Sequence, residues 1–109
     1  MCIRDRVIDV QALDKKLKNK DDFILLDVRT DREYFLSSIQ GSIHIPMNTI
    51  PENIDKLDKD KEIVVLCKSG IRSEKVCEFL IKNNFKNPKN LSGGIVEWSK
   101  QIDSSLIIY

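Results

Sequence analysis

The sequence lacks both a long apolar segment and an excess of charge of either sign. Its 109 residues include 18 basic and 17 acidic side chains, and no apolar run approaches the roughly 20 residues that a membrane-spanning helix needs. The densest group of lysines has the spacing of an ordinary solvated helix face (Lys15, Lys16, Lys18 and Lys20). No secretory leader pattern is present. We therefore expect a cytoplasmic domain without a nucleic-acid or membrane surface.

Residues that hold metals and cofactors are also scarce. The chain has one histidine, His44, and three cysteines, and no metal-ligand spacing, G-x-G-x-x-G motif or P-loop occurs. We predict no metal and no bound cofactor, and we expect His44 to be a structural or surface residue rather than a general base. Without a secretory signal, Cys67 and Cys77 are expected to be free thiols.

The first six residues, MCIRDR, match nothing in the rest of the chain. They resemble a transposon-type sequencing adaptor translated in frame, so we interpret residues 1–6 as a non-native scar and residues 7–109 as the domain. A natural disordered start is the alternative. On the first interpretation the natural chain continues upstream of Val7, and Cys2 carries no argument.

Short apolar runs alternate with segments of helical period, which is typical of βαβ units. The expected strands lie in VIDV, in FILLDV at residues 23–28, in QGSIHIP, in EIVVLC at residues 62–67 and in PKNLSGG. Asp9, and either Thr30 or Asp31, are placed to cap helices. A chain of this length makes one core. We predict one three-layer α/β/α domain with a mostly parallel sheet of about five strands.

The two cysteines of the domain lie in different contexts. Cys77 shares a helical pattern with Val76 and Leu80, so we expect a buried apolar residue. Cys67 ends the continuous apolar run IVVLC, at the carboxyl end of a strand, where α/β sheets gather their ligand sites.

A short polar loop follows Cys67. Gly70 allows the positive φ that a tight strand-to-helix turn needs, and a helix that begins near Ser73 adds free N–H groups and the positive end of its dipole. Such a loop stabilises an anion at its centre, and Lys68 and Arg72 add positive charge. We therefore expect the pKa of Cys67 to be lowered toward the reactive thiolate.

Loop length separates two families that use such a cysteine. Cysteine-dependent phosphatases have Arg at the sixth position after Cys, and this chain has Ser73 there. Arg72 gives C-x4-R, the shorter loop of the rhodanese family.

The whole domain resembles that family through four motifs in the expected order. LLDVRTDREY resembles its first signature, IQGSIHIP a degenerate form of its second, CKSGIRS its active-site loop, and LSGGIVEW its closing Gly-Gly and Trp signature. The resemblance implies a sulfurtransferase. Trp98 is expected to be a core anchor below the Gly93-Gly94 turn.

Carried over to this chain, the resemblance implies that Cys67 becomes persulfidated while the backbone of residues 68–72 (Lys68, Ser69, Gly70, Ile71 and Arg72) cradles the outer sulfur. Asp27, Arg29 and Ser73 are expected to support the loop. In that scheme Asp27 holds the loop through Arg72, or forms a purely structural pair with it, and Arg29 pairs with Glu33.

The resemblance also implies partners. Thiosulfate or a persulfide-bearing protein is the expected donor. The tail GGIVEWSKQIDSSLIIY resembles rhodanese domains attached to sulfur-carrier adenylyltransferases, which act in molybdopterin or thiamine biosynthesis. A ubiquitin-like sulfur carrier is then the expected acceptor. A free-standing thiosulfate sulfurtransferase and a non-catalytic rhodanese-fold binding module are the alternatives.

Overall fold

Five strands and five α-helices make up the part of the chain that the computed structural model describes, residues 6–106. The strands are β1 (Val7–Ile8), β2 (Phe23–Asp27), β3 (Ile43–His44), β4 (Glu62–Leu66) and β5 (Asn87–Leu91). The helices are α1 (Val10–Lys18), α2 (Asp31–Leu36), α3 (Ile50–Asn53), α4 (Ile71–Lys82) and α5 (Gly94–Gln101), and 3-10 turns flank α3 at Met47–Thr49 and Ile54–Lys56. The expected scar lies outside the described residues except for Arg6, and so do residues 107–109 of the tail.

The strands form one sheet in the order β1-β5-β4-β2-β3, and all four pairings are parallel. Parallel neighbours bring the carboxyl ends of the strands to one edge. The predicted α/β fold with five mostly parallel strands is confirmed. No helix between residues 6 and 106 combines the length and the apolar character needed to cross a bilayer.

Strand β4 is apolar throughout because both of its faces are covered. Ile63 and Val65 belong to the cluster packed under α3 and α4, and Val64 and Leu66 belong to the cluster packed under α1 and α5. Since side chains alternate along a strand, the next residue, Cys67, falls on the α4 side. The sheet thus directs this cysteine toward the helix that follows it.

The helix starts follow local side-chain chemistry. Asp9 accepts a hydrogen bond from the amide of Ala12, as expected of an N-cap, and Thr30 rather than Asp31 caps α2, with Glu33 completing a capping box. The expectation for α4 was wrong by two residues. Helix α4 begins at Ile71, two residues before Ser73, because Gly70 adopts a left-handed conformation and serves as its N-cap.

Trp98 is a core residue of the α1/α5 face, as predicted, with 6% of its surface exposed, whereas Phe35 on α2 is 89% exposed. Trp98→Ala is therefore expected to lower the free energy of unfolding by about 3–5 kcal/mol, since it empties a large packed volume. Phe35→Ala, the control, should change it by less than about 0.5 kcal/mol. Urea unfolding measures both, and equal effects would contradict this assignment of the core.

Candidate active site

The loop between β4 and α4 wraps around the sulfur of Cys67. Cys67 is the first residue after β4 and is buried. Gly70 has φ +107°, a left-handed conformation that L side chains rarely adopt, and it is the N-cap of α4. The loop therefore closes into the first turn of α4 within a few residues.

Two backbone amides and one hydroxyl group meet at the Cys67 sulfur. The amide of Gly70 donates to Sγ at 3.1 Å and the amide of Ser73 donates to it at 3.4 Å. The hydroxyl Oγ of Ser73 lies 3.3 Å from Sγ, and either group can be the donor. Backbone N–H groups aimed at one atom make an anion site.

These contacts decide the acidity of the cysteine. Burial acts to raise the pKa of Cys67, but its hydrogen bonds with the Ser73 hydroxyl and with the amides of Ser73, Gly70 and Ser69 outweigh that effect, so the pKa lies below its ordinary value. For Cys77, burial is the largest influence and raises the pKa to about 12. Both cysteines are free thiols, and Cys77 is buried as predicted.

The start of α5 holds the loop from the other side. The amides of Ile95 and Val96 donate to the carbonyls of Cys67 (2.9 Å) and Lys68 (3.1 Å). Gly94 has φ +60°, and a Cβ atom on it would collide with both of these carbonyl oxygens. The Gly-Gly motif thus lets a helix start approach the loop closely enough to bind it.

Asp27 and Arg29 form a buried ion pair beside the loop. Both are almost fully buried, and Arg29 donates to both Asp27 carboxylate oxygens at 2.8–3.0 Å. The Arg29 amide also donates to Asp27, and its guanidinium donates to the carbonyl of Ser37. The pair fastens the end of β2 to the end of α2.

The predicted pairing of Asp27 with Arg72, and of Arg29 with Glu33, was therefore wrong. Arg72 makes a two-pronged contact with Glu33, at 2.7 and 2.9 Å. The partners are exchanged because Arg29, two residues after Asp27, saturates that carboxylate locally, which leaves Glu33 free to face α4. The Arg72 contact lowers the pKa of Glu33 to about 2 despite its partial burial, and Glu33 in turn raises the pKa of Arg72.

The other residues expected at the site differ in how far they are exposed to solvent. Ser69 and Ile71 are on the outer surface of the loop, Lys68 is half-buried, and Ser73 is fully buried against the sulfur. His44 lies apart from the sulfur contacts: its Nε2 is 2.8 Å from the carbonyl of Arg29, and its ring stacks on Tyr34. The prediction of a structural histidine is confirmed.

Sequence reasoning missed two residues of the site, Glu33 as the partner of Arg72 and Asn90. Asn90 is next to last in β5 and is buried against the loop, where it contacts Ser73 and Gly70. A polar residue at the carboxyl end of a parallel strand was the available signal, because such positions face the ligand edge of the sheet.

A mostly apolar cleft lies beside Arg72. Its walls come from the end of β2, the start of α2 and the turn before α3, and the lining residues are Val28, Thr30, Pro46, Met47, Asn48 and Arg72. Among the described residues that line the cleft, Arg72 is the one with a charged side chain. Among residues 6–106, no three His, Cys, Asp or Glu side chains cluster as metal ligands do.

The site thus combines a parallel α/β sheet with a buried cysteine of lowered pKa, and four residues separate this cysteine from Arg72. This combination is the one expected of a sulfurtransferase of the rhodanese class. Residues 9–101 match the family model described as the rhodanese-like domain, and the chain belongs to that family.

The names of similar proteins point to the same family. YtwF of Bacillus subtilis, named as a candidate sulfurtransferase, is 42% identical over 91 residues, covering 84% of this chain and 87% of that one. A sulfurtransferase of Allochromatium vinosum is 33% identical, with coverages of 85% and 87%. A rhodanese-like domain protein from Staphylococcus aureus has a TM-score of 0.83 and 34% identity, covering 95% and 98%. The prediction of a sulfurtransferase is confirmed at the level of this class.

Gly94→Ala is expected to destabilise the protein by at least about 2 kcal/mol more than Gly41→Ala, as measured by urea unfolding. Both glycines have positive φ, but among the described residues no atom outside Gly41 and its two chain neighbours lies within 4 Å of a Cβ built on Gly41. The difference between the variants therefore isolates the close approach of α5 to the loop. Equal destabilisation would show that the approach carries no energetic weight.

Glu33→Gln should lower the free energy of unfolding by roughly 1–3 kcal/mol at pH 7, because it removes the charge that Arg72 binds in a partly exposed pair. Since folding lowers the Glu33 pKa from 4.5 to about 2, the unfolded chain binds the extra proton between these values. The advantage of the wild type should accordingly be full above pH 4.5 and fade as the pH falls toward 2.

Urea unfolding at a series of pH values checks this, with the exposed Glu78→Gln on α4 as the matched control. A difference between wild type and Glu33→Gln that stays constant down to pH 2 would contradict the assigned ion pair.

Proposed function

We propose that this protein carries sulfane sulfur as a persulfide on Cys67 and passes it to a nucleophilic acceptor. The observation that supports this most directly is the convergence of the Gly70 and Ser73 amides on the Cys67 sulfur. The cradle stabilises negative charge on sulfur, which both the attacking thiolate and the persulfide bear.

In the first step the Cys67 thiolate attacks the outer sulfur of the donor. With thiosulfate, a bond forms between Sγ and the sulfane sulfur, the bond from that sulfur to the sulfonate breaks, and the electron pair leaves with sulfite. Cys67 becomes Cys67–S–S⁻. No general base is needed, because the hydrogen bonds of the loop already lower the pKa of the thiol.

In the second step an acceptor nucleophile attacks the outer sulfur of the persulfide. The bond between the two sulfurs breaks, and its electron pair returns to Sγ as the thiolate, which the same amides stabilise. Cyanide as acceptor would give thiocyanate. The loop thus holds the charged form of Cys67 at the beginning and at the end of the cycle.

Charge near the loop favours an anionic donor. Lys68 lies directly beside Cys67 in the chain, and the charge of the Cys67 thiolate contributes to raising the pKa of Arg72. Glu33 partly neutralises Arg72, so the net attraction is moderate. We propose thiosulfate or the persulfide of a protein as the donor, approaching by the apolar cleft beside Arg72.

For the acceptor, we propose a ubiquitin-like sulfur-carrier protein, with the domain acting alongside a sulfur-carrier adenylyltransferase in molybdopterin or thiamine biosynthesis. The tail segment WSKQID supports this proposal, because it resembles the end of rhodanese domains attached to such adenylyltransferases. YrkF of Bacillus subtilis, named as a candidate sulfur carrier protein, is 32% identical, and this chain spans half of its length. A free-standing thiosulfate sulfurtransferase of the cytoplasm is the second form of the proposal.

Incubation with thiosulfate should add one sulfur atom to the intact mass of the protein, and cyanide should remove it. Cys67→Ser should gain none while keeping its fold, because serine is no sulfur acceptor and the substitution is nearly isosteric. Intact-mass spectrometry measures the gain, and circular dichroism checks the fold.

Cys77→Ser is the matched control, since it removes the other buried thiol of the domain. It should load sulfur like the wild type. Loading that persists in Cys67→Ser would refute the assignment of the carrier. Failure of both thiosulfate and a cysteine desulfurase persulfide to load the wild type would refute the transfer function and favour a binding module.

A further inference from the structure

Asn90 has no part in the sulfur-transfer steps, yet it is bonded to both groups that shape the thiol site. Asn90 is only 8% exposed. Its Nδ2 donates to the carbonyl of Gly70 at 3.1 Å, and its Oδ1 accepts from the hydroxyl of Ser73 at 2.5 Å. Both of those residues contact the Cys67 sulfur.

The orientation of the Asn90 amide is fixed by these partners. Gly70 offers a carbonyl, which can only accept, so the NH₂ end must face Gly70 and the oxygen must face Ser73. The reversed amide would set two carbonyl oxygens against each other. Oδ1 therefore stands as a permanent acceptor beside the Ser73 hydroxyl.

A serine hydroxyl has a single proton, so Ser73 cannot donate to Asn90 and to Cys67 together. While the proton is on the Asn90 side, the Ser73 oxygen presents only lone pairs to Sγ. This arrangement accepts a hydrogen bond from the thiol and gives none to the thiolate. The help of Ser73 in ionising Cys67 then requires the hydroxyl to leave Asn90.

We propose that Asn90 is a positioning residue that draws the Ser73 proton away from Cys67 and so makes the resting thiol less acidic than its cradle allows. The consequence is a protected resting cysteine, because thiolates are the form that oxidants attack. The proposal rests on Cys67 as the reactive residue of the proposed function, but on no particular donor or acceptor.

Other charges around Cys67 are unchanged by substitution of Asn90. Arg72 on α4 and Lys68 in the loop are nearby cations, and Glu33 on α2 is paired with Arg72. Asp27 at the end of β2 is paired with Arg29, and Cys77 on α4 is a neutral thiol. Among residues 6–106, none of these charged side chains forms a hydrogen bond with the side chain of Asn90 or Ser73. The pH dependence of Cys67 therefore isolates the Asn90–Ser73 contact.

The test is the rate of alkylation of Cys67 by iodoacetamide as a function of pH, followed on the Cys67 peptide by mass spectrometry. In Asn90→Ala the midpoint should fall by roughly one pH unit, because Ser73 is released to donate to the thiolate. In the Ser73→Ala background the same substitution should have no effect. Asn87→Ala, on the same strand, is the matched control and should leave the midpoint in place.

A midpoint that stays or rises in Asn90→Ala would overturn the proposal, because a loop that merely loosens loses its amide donors. A fall that persists without Ser73 would overturn it as well. Asn90→Val, which keeps more of the volume and suits a strand, repeats the test if the alanine variant fails to fold. The readout needs no sulfur transfer, so failure of the proposed function would show separately, in the loading experiment.

Discussion

The rest of the site depends on the approach of two backbone amides to one sulfur atom. For the Gly70 and Ser73 N–H groups to reach Cys67, the loop must turn within a few residues, and this requires a left-handed residue at position 70. A loop so tight leaves its own carbonyls pointing outward. The amides at the start of α5 satisfy two of these carbonyls, because they donate hydrogen bonds to the carbonyls of Cys67 and Lys68. The two helix starts, of α4 and α5, thus bind opposite sides of one turn.

Charged side chains set the frame around this turn by forming pairs between neighbouring elements. Arg29 binds Asp27 and the carbonyl at the end of α2 in a buried site, where an unpaired charge would be very costly. Glu33 has two roles, since it completes the capping box of α2 and also pairs with Arg72 on α4. Arg72 therefore links α2 to α4 across the mouth of the loop while remaining partly exposed, and a residue that resembles an anion binder also has a structural partner.

Much of the fold could be predicted from the sequence because its signals are local. The alternation of EIVVLC between two covered faces, the Asp9 and Thr30 caps and the glycines of the two turns each follow from a few neighbouring residues. The ion pairs could not be predicted in the same way. Arg29 and Arg72 both lie close enough to Asp27 to interact with its charge, and only the folded geometry shows that Asp27 pairs with Arg29. Asn90 was missed because its partners lie 17 and 20 residues away in the chain.

The one-residue difference between C-x4-R and C-x5-R has a geometric meaning here. Successive residues of a helix point about 100° apart, so only one of the two positions 72 and 73 can face the sulfur. Ser73 faces it and is fully buried, while the Arg72 side chain is 33% exposed and turns to Glu33. An arginine at position 73 would direct its guanidinium into the cradle and demand a larger anion. With serine there, only a small hydroxyl contacts the Cys67 sulfur, and the loop amides are left to stabilise charge on sulfur itself.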